Sequence, residues 1–541
     1  EQTNGAAALT KSLDQYMRKR IVKGVPSLAL DLSSLLLAED DAKKYYSRVT
    51  DPADVKSHKV FLFISNTVQK YVDNLQACQK FDSADTEEQA PSTIFWAWFL
   101  QVGWLELAGD YSKALEVLDK CLEHTPTGVD AYEVQARLLS KAGDRQAAVD
   151  SIDKGRDLDQ QDRYMNNQTT KYMLQANQPE TALERIGMFT NNDEETSPDK
   201  TLFDMQCSWY ELELADCLAR QGNYGKSLTK FAAVMKHFED IHEDQFDFHS
   251  YCIRKVTLRA YCNVLDWEDH LWKQPYYRRA AEGTIRLYLE VHDDPSITAA
   301  YKEPDYSGMS AAEKKKAKAI ARKKKKQAEK KAAEAPDAAD EEDDGKELLL
   351  KDALDECRKL SAILSKHAPK EVSTWILQYD VAIRRGKVLL AVQALLRARA
   401  VDPQSSDLLA RVVDFGTKME KSKSDDYPGV VKEVIDVELP ALLDNHKLVA
   451  DYVASAATSV EALTSLPTRV AIAEALVLVS KTSPADAAKV IIEGGIDGRI
   501  VNAETCKAAA TALKALNAND ACARWETVVN ERFPLLKDLA Q

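Results

Sequence analysis

The chain has 541 residues, of which 45% are hydrophobic and 29% are charged, and it carries a formal net charge of −14 at pH 7. The length exceeds the size at which a single hydrophobic core keeps growing, which excludes one compact core as the expected arrangement. The acidic balance argues against a general affinity of the whole chain for nucleic acid. No apolar run reaches the roughly 18 residues needed to span a membrane, so no membrane partner is expected.

Residues 1–90 are expected to form N-terminal helical hairpins, because apolar residues recur there at intervals of three and four. The chain begins with Glu1 instead of methionine, an indication that it is a fragment of a longer protein. Nine cysteines are scattered along the chain without a CxxC pair. We therefore interpret them as reduced thiols of a cytoplasmic protein.

A ladder of turn residues and small residues characterises 91–300, the segment predicted to hold an array of repeats. The turn residues are Gly109, Gly143 and Asn177, and the small residues five positions later are Ala114, Ala148 and Ala182. Both sets recur every 34 residues, which is typical of tetratricopeptide repeats, where two antiparallel helices per repeat bury their apolar faces by stacking. The sequence therefore predicts an all-α fold, an α-solenoid of tetratricopeptide-type helical hairpins forming a superhelix.

Two further repeats are predicted outside this strict phase. The first covers 209–234, with Gly222 at the turn and Ser227 in the place of the alanine. The motif residues of the second are Trp375, Gly386, Ala391, Ala398 and Pro403. An aromatic residue occupies the same early position in the first helix of three repeats, at Trp98, Tyr132 and Trp375.

The segment 243–295 is predicted to be helical. Its apolar residues at helical spacing are Tyr251, Val256, Leu258, Tyr261 and Leu265. The nearby histidines are His237, His242 and His249. Their spacings do not bring them to one helix face with a carboxylate, so no metal site is predicted.

A charged linker is predicted over 301–345. Residues 313–331 contain eleven lysines or arginines and two glutamates, and an acidic run follows over 337–344. Such a block cannot bury enough apolar surface to order itself, and one interpretation is a solvated linker. The other is an electrostatic arm for RNA, the ribosome or nuclear import, centred on Lys323, Lys324, Lys325 and Lys326.

Helices resume over 346–541, the predicted C-terminal repeat-like region. The helices of this region are predicted to be interrupted by four prolines: Pro428, Pro440, Pro467 and Pro484. The last segment, 521–536, contains Trp525 and Phe533 and is expected to pack back onto the rest as a closing helix.

No catalytic motif is present in the sequence: GxxxxGK[ST], HExxH, GxSxG and the acetyl-CoA-binding turn of acetyltransferases are all missing. The chain is therefore not expected to be an enzyme. One polar cluster stands out, because Arg137 and Lys171 occupy the same position of consecutive repeats, Lys141 is one turn from Arg137, and Arg163 opens the neighbouring helix. The four cations form either a polyphosphate site or a solvated face.

Several stretches together resemble one family, the auxiliary, ribosome-anchoring subunit of the NatA N-terminal acetyltransferase. These stretches are YMRKRIVKGVPSL, AGDYSKALEVLDKCLEHTPT, DRYMNNQTTKYMLQAN, MQCSWYELELADCL and EDQFDFHSYCIRKVTLRAY. The resemblance is clear over 11–420 and weaker to the end. It implies a solenoid that wraps a catalytic acetyltransferase subunit, which binds acetyl-CoA and acetylates small N-terminal residues of nascent chains.

The resemblance also implies a cytoplasmic, ribosome-associated protein with a nuclear fraction, and a second acetyltransferase subunit and a small regulatory protein as further partners. The family binds inositol hexakisphosphate near the subunit junction through residues that match Arg137 and Lys171. Two positions that are basic in the family are Ser140 and Gln168 here, which puts the ligand in question. The alternative function is a stand-alone tetratricopeptide adaptor that binds another protein or a peptide.

Overall fold

The computed structural model describes residues 2–40, 45–190, 197–299, 344–422, 427–480, 482–496 and 499–536. The all-α fold class is confirmed. The described strands are a single antiparallel pair, β1 (Leu37–Asp40) and β2 (Tyr45–Arg48), in which Leu37 lies opposite Arg48. Within the described ranges, no helix is long and apolar enough to cross a membrane.

The chain folds into two compact units. Unit 1 comprises Glu1–Phe189 and Asp402–Gln541, and unit 2 comprises Thr190–Val401. The division into 1–90, 91–300, 301–345 and 346–541 does not coincide with these units and stays a prediction.

The helices of unit 1 come from both ends of the chain. From the N-terminal part they are α1 (Gln2–Lys23), α2 (Leu28–Ser33), α3 (Pro52–Ser57), α4 (Lys59–Cys78), α5 (Thr93–Leu107), α6 (Tyr111–His124), α7 (Val129–Ala142), α8 (Arg145–Leu158), α9 (Arg163–Gln175) and α10 (Pro179–Gly187).

The helices of unit 2 follow in chain order. They are α11 (Pro198–Asp204), α12 (Ser208–Arg220), α13 (Tyr224–Glu243), α14 (Gln245–Lys255), α15 (Leu258–Glu268), a 3-10 turn (Leu271–Lys273), α16 (Pro275–Asp293), α17 (Ser296–Ala299), α18 (Lys346–Leu349), α19 (Ala353–His367), α20 (Val372–Arg384) and α21 (Val388–Val401).

The C-terminal helices complete unit 1. They are α22 (Ser406–Lys421), α23 (Gly429–Leu442), α24 (Val449–Ala456), α25 (Val460–Thr464), α26 (Leu466–Ser480), α27 (Pro484–Glu493), α28 (Ala503–Ala515) and α29 (Asn519–Arg532). The interruption predicted at Pro440 is wrong, since α23 continues to Leu442. A proline so close to the end of a helix removes a single intrahelical hydrogen bond and is tolerated.

The predicted ladder is confirmed helix by helix. The small residues at the crossings of α5 with α6, α7 with α8 and α9 with α10 are fully buried: Ala114, Ala148 and Ala182. The turn residues before them have positive φ angles of 69°, 99° and 60°: Gly109, Gly143 and Asn177. A left-handed turn without a β-carbon penalty explains the two glycines, and asparagine tolerates this conformation better than most residues.

The two additional repeats are also present, as α12 with α13 and α20 with α21. Gly222 and Gly386 turn with φ angles of 75° and 66°. Ser227 stands where the other repeats have alanine, and its buried hydroxyl donates to the carbonyl oxygen of Ala215 at 2.7 Å. This hydrogen bond satisfies the one polar group that the substitution introduces at the crossing.

In two of the repeats, the aromatic residue near the start of the first helix is bonded to the loop that precedes this helix. The hydroxyl of Tyr132 donates to the carbonyl of Pro126 at 3.0 Å. The indole N–H of Trp375 donates in the same way to the carbonyl of Pro369 at 2.8 Å. In both repeats the acceptor precedes the donor by six residues, so the aromatic position holds the loop as well as filling the core.

The C-terminal helices of unit 1 pack on the turns of the first two repeats, as expected for a closing helix. Phe533 and Trp525 are buried, and the ring centroid of Phe533 lies 6.1 Å from that of Tyr111. Leu536 packs so tightly on Gly143 that a β-carbon there would lie 2.1 Å from its Cδ1. The ion pair of Arg145 with Glu504 at 2.7 Å supports the same contact.

Candidate functional site

The cation cluster predicted on the repeats is built around a carboxylate. Arg137 on α7 donates to both oxygens of Glu106 on α5, with Nε–Oε1 at 2.8 Å and Nη2–Oε2 at 3.0 Å. Lys141, one turn along α7, donates to the same Oε1 at 2.8 Å. Arg137 also pairs with Glu133 at 2.9 Å. Two of the predicted cations are therefore brought together, but two carboxylates neutralise them.

The electrostatics of this cluster favour the ionised form of both partners. The side chain of Glu106 is only 9% exposed, and burial alone would raise its pKa. The hydrogen bonds and charges of Arg137 and Lys141 outweigh burial and hold the pKa of Glu106 below its ordinary value. The same carboxylates raise the pKa of Arg137 in spite of its desolvation.

The other two predicted cations stand apart from this network. Arg163 is exposed, and its guanidinium carbon lies 5.4 Å from the ring centroid of Phe189. Lys171 is half-buried on α9. Among the described residues, neither of them contacts Glu106 or Glu133. The binding of a polyphosphate by these four cations stays a prediction.

Sequence reasoning missed Glu106, although the repeat register contained a signal for it. One repeat of 34 residues separates Glu106 from Ser140, so Glu106 sits on the preceding first helix at about the height of Arg137 and Lys141. Stacked first helices of a solenoid place such positions side by side. A search for acidic residues at matching positions of neighbouring repeats would have predicted the pairing.

A half-open cleft of about 620 Å³ in unit 1 adjoins this cluster. Arg137, Lys141 and Glu106 line one part of it, and Asp130 and Glu133 line another. Its apolar lining includes Leu30, Phe99, Leu107 and Val134. The cleft can therefore hold a chain segment that is partly apolar and carries charges of both signs.

Unit 2 carries a second candidate surface, which we call the exposed hairpin: helices α14 and α15. Six large hydrophobic side chains of these helices and the turn between them are at least one third exposed: Tyr251, Ile253, Val256, Leu258, Leu265 and Trp267. Ile253 and Leu258 reach 68% and 77% exposure. The sequence analysis gave Tyr251, Val256, Leu258 and Leu265 only as apolar residues at helical spacing, and the structure shows that their side chains are exposed.

Few contacts anchor the exposed hairpin to the rest of unit 2. The pair of His249 on α14 with Glu268 on α15 at 2.8 Å lies within the hairpin, and Cys252 on α14 is buried. The ring of Trp267 lies 6.4 Å from that of Phe238 on α13. The signal in the sequence was that Tyr251 and Ile253, two positions apart, lie on opposite sides of α14, so one core cannot bury both.

The histidines considered for a metal site make pairwise contacts instead. His237 Nε2 lies 2.9 Å from Glu211 Oε2, and both side chains are almost fully buried. His249 pairs with Glu268, as described above. No cluster of three or more potential metal ligands occurs in the part of the chain that the structure describes. The predicted arm, Lys323, Lys324, Lys325 and Lys326, lies outside the described residues.

Comparison with known proteins identifies the family. The family model of the N-terminal acetyltransferase A auxiliary subunit matches residues 3–398. The N-terminal acetyltransferase A complex auxiliary subunit NAA15 of Arabidopsis thaliana is 38% identical over 420 residues, which cover 74% of this chain and 44% of that protein. The N-alpha-acetyltransferase 16, NatA auxiliary subunit, of Mus musculus is 32% identical over 482 residues, 83% of this chain and 53% of that protein.

The fold comparison agrees with the family match. A chain in the solved structure of Naa15/Naa10 bound to HypK-THB superimposes with a TM-score of 0.60 and 26% identity, over 80% of this chain and 54% of that chain. The chain thus spans about half the length of the relatives it matches. On the family match and on the confirmed helical repeats, this chain belongs to the family of NatA auxiliary subunits.

Proposed function

We propose that the chain is a non-catalytic scaffold subunit of NatA, which binds and shapes the catalytic acetyltransferase subunit and anchors it to the ribosome for cotranslational N-terminal acetylation. The observation that carries the proposal is the family match over residues 3–398. The relatives are named auxiliary subunits. The similar structure of Naa15/Naa10 bound to HypK-THB supports a catalytic subunit and a small regulatory protein as partners. Acetyl-CoA is bound by the catalytic partner.

The exposed hairpin supports a whole-protein partner rather than a short peptide. It presents Tyr251, Ile253 and Leu258 to solvent on more than one face. The buried centres of protein interfaces are depleted in charge and enriched in such apolar and aromatic residues. Several large apolar side chains exposed on one pair of helices are more than the isolated surface hydrophobics that are normal for a protein. We assign the exposed hairpin to the contact with the catalytic subunit.

Copurification with the tagged catalytic subunit tests this assignment. Leu258→Asp places a carboxylate in the apolar surface and is expected to weaken the complex at least about tenfold, since truncating an interface anchor commonly removes more than about 1.4 kcal/mol. Asn263→Asp introduces the same charge at an exposed polar site of the same helix and is the control, expected to bind as the wild type does. Equal retention of both variants rules out the hairpin as the contact.

An activity assay tests the absence of catalysis. The purified chain with acetyl-CoA and a peptide beginning with serine is expected to give no acetylated product. Product is expected only after the catalytic subunit has been added. Turnover by the chain alone, in a preparation free of other acetyltransferases, would refute the scaffold role.

Inositol hexakisphosphate is proposed as a ligand near Arg137, Lys141, Arg163 and Lys171. Arg137 and Lys141 support this only in part, because Glu106 already occupies their donors. Glu106→Gln is therefore expected to strengthen binding, and the Arg137→Ala/Lys171→Ala variant to abolish it, by calorimetry on the chain and on its complex. Equal affinities of all three proteins would show that these cations do not hold the ligand.

The stand-alone adaptor remains the second candidate, and one observation favours it. The 620 Å³ cleft of unit 1 combines apolar walls with charges of both signs, as an extended peptide would require. Affinity capture followed by mass spectrometry distinguishes the two functions. Recovery of an acetyltransferase in an amount equal to that of the chain supports the scaffold function. Recovery of other proteins without any acetyltransferase supports the adaptor.

A further inference from the structure

A pocket of about 340 Å³ in unit 2 lies at the repeat formed by α20 and α21 and the preceding helix α19. Each helix contributes two residues to its lining: Ser365 and Lys366 from α19, Trp375 and Gln378 from α20, and Gln393 and Arg397 from α21. The residues of each pair lie within about one turn of each other, so the three helices present one polar patch at the same height.

The charge of this pocket is unbalanced, unlike that of the cluster in unit 1. Lys366 and Arg397 line it, and none of its lining residues is acidic, although acidic residues outnumber basic ones in the chain by 86 to 72. Within the described ranges, neither cation has an ion-pair partner. The effect reaches the adjacent imidazole: burial, and then the charge of Lys366, lowers the pKa of His367.

The side-chain amide of Gln378 is also available to a ligand. Gln378 has a buried side-chain oxygen without a hydrogen-bond partner among the described residues. Its amide can present either the oxygen or the NH₂ group by rotating half a turn. Trp375 is held in place by its bond to the carbonyl of Pro369, so one wall of the pocket is fixed before any ligand arrives.

We propose that this pocket binds the phosphoryl group of a phosphorylated ligand. A phosphate monoester carries between about −1.5 and −2 charges at pH 7 and three strong acceptor oxygens, which match two cations and the amide donors of Gln393. The hydroxyl of Ser365 already donates to the carbonyl of Ala362 at 3.1 Å. A carboxylate carries a single charge and would leave one cation uncompensated. When the amide of Gln378 is rotated, its NH₂ group can donate to a further phosphoryl oxygen.

Calorimetric titration of the whole chain with inorganic phosphate and with a phosphoserine peptide tests the proposal at low ionic strength. Saturable binding of one phosphoryl group per chain is expected. Lys366→Gln/Arg397→Gln is expected to weaken it at least about tenfold, because charge-assisted hydrogen bonds are lost on both sides of the ligand. Arg385→Gln/Lys387→Gln removes the same charge from the same repeat outside the pocket, and is expected to leave binding unchanged.

A neutral substitution separates a specific site from general attraction. Gln378→Leu keeps the net charge and is expected to reduce phosphate affinity, because the ligand loses the amide donor of this side chain. The pocket is overturned as a phosphate site if the wild type shows no saturable binding, or if Lys366→Gln/Arg397→Gln binds as tightly as the control. Tighter binding of the peptide than of free phosphate identifies a phosphopeptide as the source of the group, and equal binding identifies a small molecule.

Discussion

A single carboxylate decides the character of the cation cluster in unit 1. Glu106 is the shared acceptor of Arg137 and Lys141, and its side chain is nearly buried. Without it, two cations one turn apart would repel each other and attract any polyanion. With it, the cluster is first of all a structural link between the first helices of neighbouring repeats.

The pH dependence of stability should show this link. The folded-state pKa of Glu106 is lowered, so its contribution is present above the unfolded pKa of about 4.3 and is lost as the pH falls through the folded value. Glu106→Gln is expected to lower the free energy of unfolding by about 1–2 kcal/mol at pH 7 and by much less in acid. Urea unfolding at both pH values measures the difference, and a difference independent of pH contradicts the assignment.

At the scale of helices, the small residue at each crossing sets the distance between the two helices of a repeat. Ala148 has no exposed surface, and the serine at the same place in a later repeat keeps its hydroxyl bonded to the opposite helix. The site accepts a methyl or a hydroxymethyl group. A branched side chain would separate α7 from α8.

Ala148→Leu is therefore expected to destabilise unit 1 by about 1–3 kcal/mol, the usual effect of overpacking a filled site. The melting temperature measures it. Gln146→Leu adds the same side chain at an exposed position of the same helix and is expected to change the melting temperature little. A melting temperature of Ala148→Leu equal to that of the control would contradict the repeat register.

The C-terminal helices provide the second test at this scale. Phe533 is fully buried against Tyr111, so Phe533→Ala is expected to cost about 3–5 kcal/mol. The loss should appear as earlier thermal unfolding and faster proteolysis within 503–536. Glu531→Ala changes an exposed residue two positions away and is the control. If both variants resist protease equally, the contact does not stabilise unit 1.

At the scale of the whole molecule, the charges are divided unevenly along the sequence. Residues 313–331 hold a net charge of +9 from eleven basic and two acidic residues, within a chain that is acidic overall. Because of this segregation, we expect a polyanion such as ribosomal RNA to bind 313–331 and not the acidic remainder of the chain.

Replacing Lys323, Lys324, Lys325 and Lys326 with alanine is expected to weaken ribosome cosedimentation, most strongly at low salt, where counterion release contributes most. Acetylation of free peptides by the complex with the catalytic subunit should be unchanged. Loss of both ribosome binding and peptide acetylation would show instead that the lysines are structural. Unchanged cosedimentation at every salt concentration would refute the role of these lysines in ribosome binding.

The sequence by itself determined the repeats. The 34-residue spacing of Gly109, Gly143 and Asn177, and of the alanines that follow them, reports the turn and the crossing within one hairpin. Both features depend on residues a few positions apart, so local sequence specifies them. The helical class and the closing helix around Phe533 followed from the same apolar periodicity.

Only the tertiary structure decided which charged side chains are paired and which apolar side chains are exposed to solvent. Glu106 neutralises Arg137, which is 31 positions further along the chain. The cations of the unit 2 pocket have no such partner among the residues that the structure describes. Both outcomes depend on which side chains the stacking of helices brings together. Leu258 follows the same helical spacing as core leucines but is 77% exposed. Periodicity shows which face of a helix is apolar, whereas burial depends on whether another element packs against that face, and that is settled only when the chain has folded.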